Sequence, residues 1–270
     1  MSERVQITRD GAVATVELAR ADKLNAMDGD MFAAIGDAFR ALGRDPEVRA
    51  IVLAAQGKHF TAGLDLEYAA SQFPPVKDPG RAAEARLRHI DWLQDSFNAV
   101  EQARVPVVAA VHGACVGAGV DLISACDIRV ATQDSFFQIA EVDVAITADL
   151  GTLQRLGYLI PQGILRELTY TGRKMSAEEA ARIGLVNGLA ADRDAALEAA
   201  TSLARTIAAK SPLAVAGAKR SLNYSRGRPV EEGLRDVALW NAGTLVSADL
   251  GAAVQARLAK QTPEFGPLDG

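Results

Sequence analysis

Apolar residues alternate with polar ones near the start of the chain and take up helical spacing towards its end. Residues 5–8 and 13–18 are β-branched and alternating, and Asp10-Gly11 between them favours a tight hairpin. Met31, Ile35, Phe39 and Leu42 then recur at helical intervals and predict a helix over 28–42. Residues 49–54 return to a β-branched apolar run, read as a strand. Leu87, Ile90, Leu93, Phe97 and Val100 predict a helix over 81–103, and residues 107–112 and 127–131 predict two more strands. Strands separated by helices imply crossover units and a layered α/β core.

The last third changes character. Ser176-Ala177-Glu178-Glu179 has the form of a capping box that opens a helix. Residues 192–210 are Ala-rich and helical, Pro212 fits a first helical turn after Ser211, and residues 231–260 read as helix throughout. The tail from Gln261 is expected to be loose, and the chain carries no fixed-period repeat.

Composition narrows the classes. With 270 residues, 49% of them apolar, the chain can build a sizeable core in one large fold. A net charge of −5 and a pI of about 5.3 give no footprint for nucleic-acid binding. Cys115 and Cys126 lack zinc or CxxC spacing and read as small apolar residues. The opening residues lack an apolar leader, and residues 105–120, the most apolar stretch, are too short to span a membrane. The final PLDG is not a peroxisomal address, so the expected location is cytoplasmic.

Three segments could carry chemistry. Gly57 to Asp65 follows a strand and holds two glycines, a form suited either to a surface loop or to presenting backbone N–H groups; His59 within it reads as a surface or supporting residue. Val111 to Asp121 runs from a strand through Gly113, Gly117 and Gly119 into a helix. Such small residues allow either tight helix–strand packing or a ligand close to a helix N-terminus, and the spacing is not that of a dinucleotide site. Gln138 to Leu150 sets Glu141, Asp143 and Asp149 among apolar residues. Asp149 could cap the next helix, or an acid held in an apolar pocket could titrate near neutrality and exchange protons.

Taken together, residues 18–27 (LARADKLNAM), 60–65 (FTAGLD), the glycine-rich segment, 151–156 (GTLQRL) and 171–177 (TGRKMSA) resemble the crotonase, or enoyl-CoA hydratase/isomerase, superfamily over nearly the whole chain. The resemblance implies an α/β fold, a crotonase-like spiral of ββα units with a helical C-terminal region. Residues 1–200 would form the core and 201–270 a helical oligomerisation region, in a homotrimer or homohexamer. It implies an acyl-CoA thioester substrate, contacts from Lys23, Ala62, Gly63, Asp65 and Gly117, and an oxyanion hole from the N–H groups of Leu64 and Ala118. Many members have Gly where this chain has Ala118; the N–H is retained and a methyl enters the pocket. The acidic balance and the short apolar stretches leave no nucleic-acid or membrane partner expected.

Within that superfamily, Asp121, Glu141 and Asp149 resemble the acid trio of the delta(3,5)-delta(2,4)-dienoyl-CoA isomerases, as do VHGACVGAGVDL and FFQIAEVDV. The resemblance implies that Glu141 takes the C2 proton, Asp149 returns one at C6, and Asp121 orients or polarises, in the breakdown of unsaturated fatty acids. No metal or redox cofactor is expected, because a double-bond shift is not a net oxidation. The runner-up is hydration of a 2-enoyl-CoA. Another acyl-CoA isomerase or lyase, a non-catalytic scaffold and an RNA binder stand behind it. Residues 67–79 are expected to shape the acyl pocket.

Overall fold

The computed structural model describes residues 3–72 and 78–268, so the expectation for residues 67–79 lies partly outside the described residues. The chain opens with the expected hairpin, β1 (Val5–Asp10) antiparallel to β2 (Val13–Leu18). Helix α1 (Gly29–Leu42) follows Asp28, whose carboxylate accepts the Met31 N–H. Then come β3 (Ala50–Ala55), α2 (Leu66–Ser71), α3 (Pro79–Gln102), β4 (Val107–Val111), β5 (Ala114–Val116) and α4 (Ala118–Ser124). After β6 (Ile128–Thr132) and β7 (Phe136–Gln138) the chain makes α5 (Thr152–Arg155), α6 (Gln162–Thr171), β8 (Met175–Ser176), α7 (Ala177–Arg182) and β9 (Gly188–Ala190). Four helices finish it: α8 (Arg193–Ala208), α9 (Pro212–Ser225), α10 (Val230–Thr244) and α11 (Ala248–Ala259).

The main sheet has the order β1-β2-β3-β4-β6-β9, parallel beyond the first hairpin, and β5-β7-β8 form a second small sheet. Pairs of strands followed by a helix recur as β1-β2-α1, β4-β5-α4 and β6-β7-α5, the repeating ββα units expected from the sequence. Strands β3 and β4 are buried on both faces because alternate residues feed different cores. Ile51, Leu53, Val107 and Ala109 face the large core with α1 and α3, where Phe32 and Phe97 lie 5.2 Å apart. Val52, Ala54, Val108 and Ala110 face a smaller core closed by Ala200, Ala204 and Ala208 of α8. The alanine spacing brings the α8 backbone close to the sheet.

Five local readings change. The boundary drawn at residue 200 falls inside α8, whose alanines belong to the sheet, so the core reaches Ala208. Residues 231–260 are two helices and not one: they bend by 81° between α10 and α11, because Ser247 caps α11 by accepting the Leu250 N–H and Val246 is left 99% exposed. Leu87, counted on the apolar stripe of α3, is exposed; the α3 core positions begin in earnest at Leu93. The tail is tethered, since Arg49 donates to the Phe265 and Gly266 carbonyls and the Leu268 N–H to Pro46. Ser176 does cap α7, but the Glu179 carboxylate pairs with Arg173 rather than closing a capping box. Among the described residues no single helix is long and apolar enough to cross a membrane.

Candidate active site

Two loops leave the C-terminal ends of the adjacent parallel strands β3 and β4, where open parallel sheets form their ligand crevices. The first, residues 56–65, lies over the turn at 20–27. The side-chain amide of Asn25 donates to the Gln56 and His59 carbonyls, and the Thr61 hydroxyl donates to the Asn25 carbonyl at 2.6 Å. Leu24 and Asn25 both sit at positive φ, a turn that this web of bonds holds in place. Lys23 is exposed on the same turn and Ala62 is exposed on the facing loop. His59 is a supporting residue, accepting the Ala114 N–H on Nδ1.

The second loop runs through β5 into α4. Gly63 (φ +92°) and Gly117 (φ +52°) occupy backbone that side chains rarely adopt, and a Cβ on Gly63 would meet the Val116 carbonyl oxygen at 2.7 Å. That close approach sets Gly63 beside α4: the same Cβ position is 3.7 Å from the Ala118 nitrogen. Met27 pairs with Gly63 and Asp65 around Leu64, and α4 begins at Ala118. Among the described residues the N–H groups of Leu64 and Ala118 donate to no protein acceptor. These two donors sit on neighbouring loops, the second at the start of α4, where backbone N–H groups lack intrahelical partners.

Asp65, expected near the substrate, has its carboxylate engaged elsewhere. It pairs with Arg20 at 2.6 Å and caps α2 by accepting from Glu67 and Tyr68. The Arg20 guanidinium, with the Tyr68 amide, holds its pKa below the usual carboxylate range.

The three remaining acids are set differently. Pairing of β5 with β7 sets Gly117 against Glu141, whose Oε1 lies 3.4 Å from where a Gly117 side chain would begin. Glu141 is 9% exposed, and its Oε2 is buried without a hydrogen-bond partner among the described residues. Burial, and then the charge of Asp121 and Asp149, push its pKa up to about 7. Asp121, on α4 one turn beyond Ala118, is buried to 1% exposure, and burial lifts it to about 6 with Asp149 adding to the rise. One of its oxygens accepts the Thr152 N–H at 2.6 Å and so caps α5. The cap expected from Asp149 is therefore supplied by Asp121. Asp149 lies in the turn before α5, more open to solvent, with partial burial raising its pKa. Gln94 donates to its backbone carbonyl at 2.6 Å, and Arg155 holds the next carbonyl, that of Leu150, at 3.1 Å.

The structure thus brings Gly63, Leu64, Gly117, Ala118 and Glu141 to one place. Asp121 links them to the turn that carries Asp149, and the charge of Asp149 reaches both other acids. Sequence reasoning missed Arg20, Asn25, Thr61, Gln94 and Thr152 as supports. Their signal is tertiary, since each bonds to backbone or to an acid distant in the chain. Cys115 and Cys126 are buried and unpaired, with burial raising Cys126 to about 12.

Comparison with known proteins places this geometry. The enoyl-CoA hydratase/isomerase family profile matches residues 8–265. The peroxisomal delta(3,5)-delta(2,4)-dienoyl-CoA isomerase of Arabidopsis thaliana is 43% identical over 98% of this chain and 97% of its own length. The mitochondrial enzyme of that name from Rattus norvegicus is 44% identical over 96% of this chain and 80% of its own. The crystal structure of an enoyl-CoA hydratase from Polaromonas sp. JS666 superposes with a TM-score of 0.88 at 28% identity, covering 97% and 99% of the two chains. The cytoplasmic location expected from the sequence is corrected by the two relatives named for the peroxisome and the mitochondrion. That expectation rested on terminal residues, which are addresses read by transport receptors and are physically independent of the catalytic fold. From its profile, its fold and its relatives, the chain belongs to the enoyl-CoA hydratase/isomerase family.

Proposed function

We propose that this enzyme converts 3,5-dienoyl-CoA to 2,4-dienoyl-CoA. The thioester oxygen lies between the N–H groups of Leu64 and Ala118, with the acyl-CoA bound along the loops that carry Lys23, Ala62, Gly63 and Gly117. Glu141 as carboxylate removes a proton from C2, and the electron pair spreads onto the thioester oxygen on one side and through the two double bonds to C6 on the other. Asp149 as the acid then delivers a proton to C6, leaving double bonds at C2 and C4. The C2 proton is too weakly acidic for the base alone. The two amides lower the dienolate as it forms, and loss of one such donor costs about 3–4 kcal/mol in comparable sites.

The observation that carries the reading is the Glu141 carboxylate beside Gly117, one oxygen of it buried without a partner, lifted to about 7 and sensitive to the charge of Asp149. A carboxylate in that range is a usable base near neutrality. Hydration fits less well. It uses two acids to hold water, and Asp121 commits an oxygen to Thr152.

The test is absorbance at the conjugated dienoyl-CoA band beside a 2-enoyl-CoA hydration assay. Asp149→Asn should lose isomerisation by about a hundredfold or more while still binding the CoA ester. Unchanged turnover defeats the assignment, and hydration without isomerisation transfers it to the hydratases.

We also infer that the enzyme is a homotrimer or homohexamer joined through its C-terminal helices. Leu222, Leu234, Leu239 and Leu258 are exposed there, an apolar load that a partner copy would cover. Light scattering of the purified chain checks the mass.

A further inference from the structure

Resting on the isomerase reading, we propose that the cavity behind Asp149 is the port through which that acid regains its proton from solvent. A cavity of about 590 Å³ lies between the end of α3, the turn and helix at 149–158, and the end of α9. Asp149 lines it together with Gln94, Asn98, Gln154 and Tyr158, while Glu141, Leu64 and Ala118 do not. Gln154 and Tyr158 are exposed, so the cavity opens to the surface beside them. The two acids therefore have different access to water. Glu141 is enclosed beside the loops of Leu64 and Ala118, and Asp149 lines a cavity that shares no residue with those loops and whose other walls carry Gln94, Asn98 and Gln154.

Proton accounting makes that asymmetry matter. In each turnover the C2–H bond breaks, its proton goes to the Glu141 carboxylate, and a C6–H bond forms with the proton of the Asp149 carboxyl. The cycle ends with Glu141 protonated and Asp149 ionised. One proton must leave the first acid for water and one must reach the second from water. The cavity supplies the second path: water takes Asp149 back to the acid without passing the thioester end of the site. The C6 hydrogen of the product then comes from solvent and not from C2.

The experiment uses the intact enzyme in D2O with a 3,5-dienoyl-CoA, reading the label by mass spectrometry and NMR. The expected product carries about one deuterium, at C6, from the first turnover. Gln154 makes no side-chain hydrogen bond among the described residues and sits at the mouth. Gln154→Trp should therefore narrow it and lower kcat by about fivefold with KM unchanged, while Gln154→Ala keeps the wild-type rate. Protium from C2 at C6 overturns the port whatever the variants do. So does a tryptophan variant as fast as wild type, or an alanine variant as slow as the tryptophan one. If the unmodified enzyme isomerises no 3,5-dienoyl-CoA, the functional reading falls and takes the port with it; normal turnover with unlabelled C6 sinks the port alone.

Discussion

Asp65, two residues after Gly63, and Glu141, beside Gly117, are carboxylates of similar solvent exposure, and their surroundings drive them in opposite directions. Asp65 meets an arginine and two backbone amides, and its pKa falls. Glu141 has an oxygen with no partner and other acids for neighbours, and its pKa rises to about 7. Both are little exposed to solvent, but loss of water is the leading cause at Glu141 and a lesser one at Asp65, where the arginine and amides outweigh it. What separates the two acids is how far the surroundings strip the charge of water and how far they satisfy it in return, because an unsatisfied buried carboxylate is costly when ionised and holds its proton into the neutral range. The fold fixes the first acid to shape the loop and leaves the second with its pKa raised to about 7.

The comparison breaks most visibly in turnover. Glu141→Gln keeps the shape of the side chain and removes the base, and isomerisation should fall by about a thousandfold. In the unaltered enzyme kcat/KM should fall as pH drops below about 7, because protonation removes the base. Rates of dienoyl-CoA conversion from pH 5 to 9 check both. A flat acidic limb would mean that Glu141 does not act as the base.

At Asp65 the largest effect should be on stability. Asp65→Ala removes the α2 cap and leaves Arg20, 11% accessible, with Asp28 at 3.5 Å as its remaining acid partner. Breaking such a pair and its cap should cost about 2–3 kcal/mol in urea unfolding. Asp65→Asn, which keeps an accepting oxygen, should lose less. Equal losses in the two variants would assign the cost to packing instead of charge.

The two acids were not equally legible in the sequence. The hairpin, α1 and the buried strands followed from periodicity, because alternation and helical spacing report which face meets the core. The break at Ser247 was missed since residues on both sides keep helical composition, and a single capping serine decides it. In the crevice, Gly63 and Gly117 were visible as glycines, but their positive φ and the two free amides depend on loops meeting across β3 and β4. Asp65 and Glu141 both lie in segments that resemble the family. That Asp65 is taken by Arg20, 45 positions earlier in the chain, and that Asp121 caps α5, are long-range bonds without a local pattern. The chemistry of a carboxylate depends on its partners, and those are set by tertiary folding.

The same reasoning gives a smaller effect with a sign of its own. In the unfolded chain Glu141 should titrate near 4.5, and in the folded chain near 7. Below the lower value both states hold the proton and the residue costs nothing. Between the two values the folded state has to keep a proton that the unfolded state releases, so stability is lost as pH rises, and the loss is complete above the folded value. Glu141→Gln carries no charge at any pH and escapes this cost. The variant should match the wild type in stability near pH 4.5 and exceed it by about 3 kcal/mol at pH 8, in unfolding curves taken at both pH values. Gaining stability where activity is lost is what an acid held unsatisfied for catalysis should do. A difference that stays constant from pH 4.5 to 8 would mean that Glu141 titrates as an ordinary glutamate, and the contrast with Asp65 would then be one of packing alone.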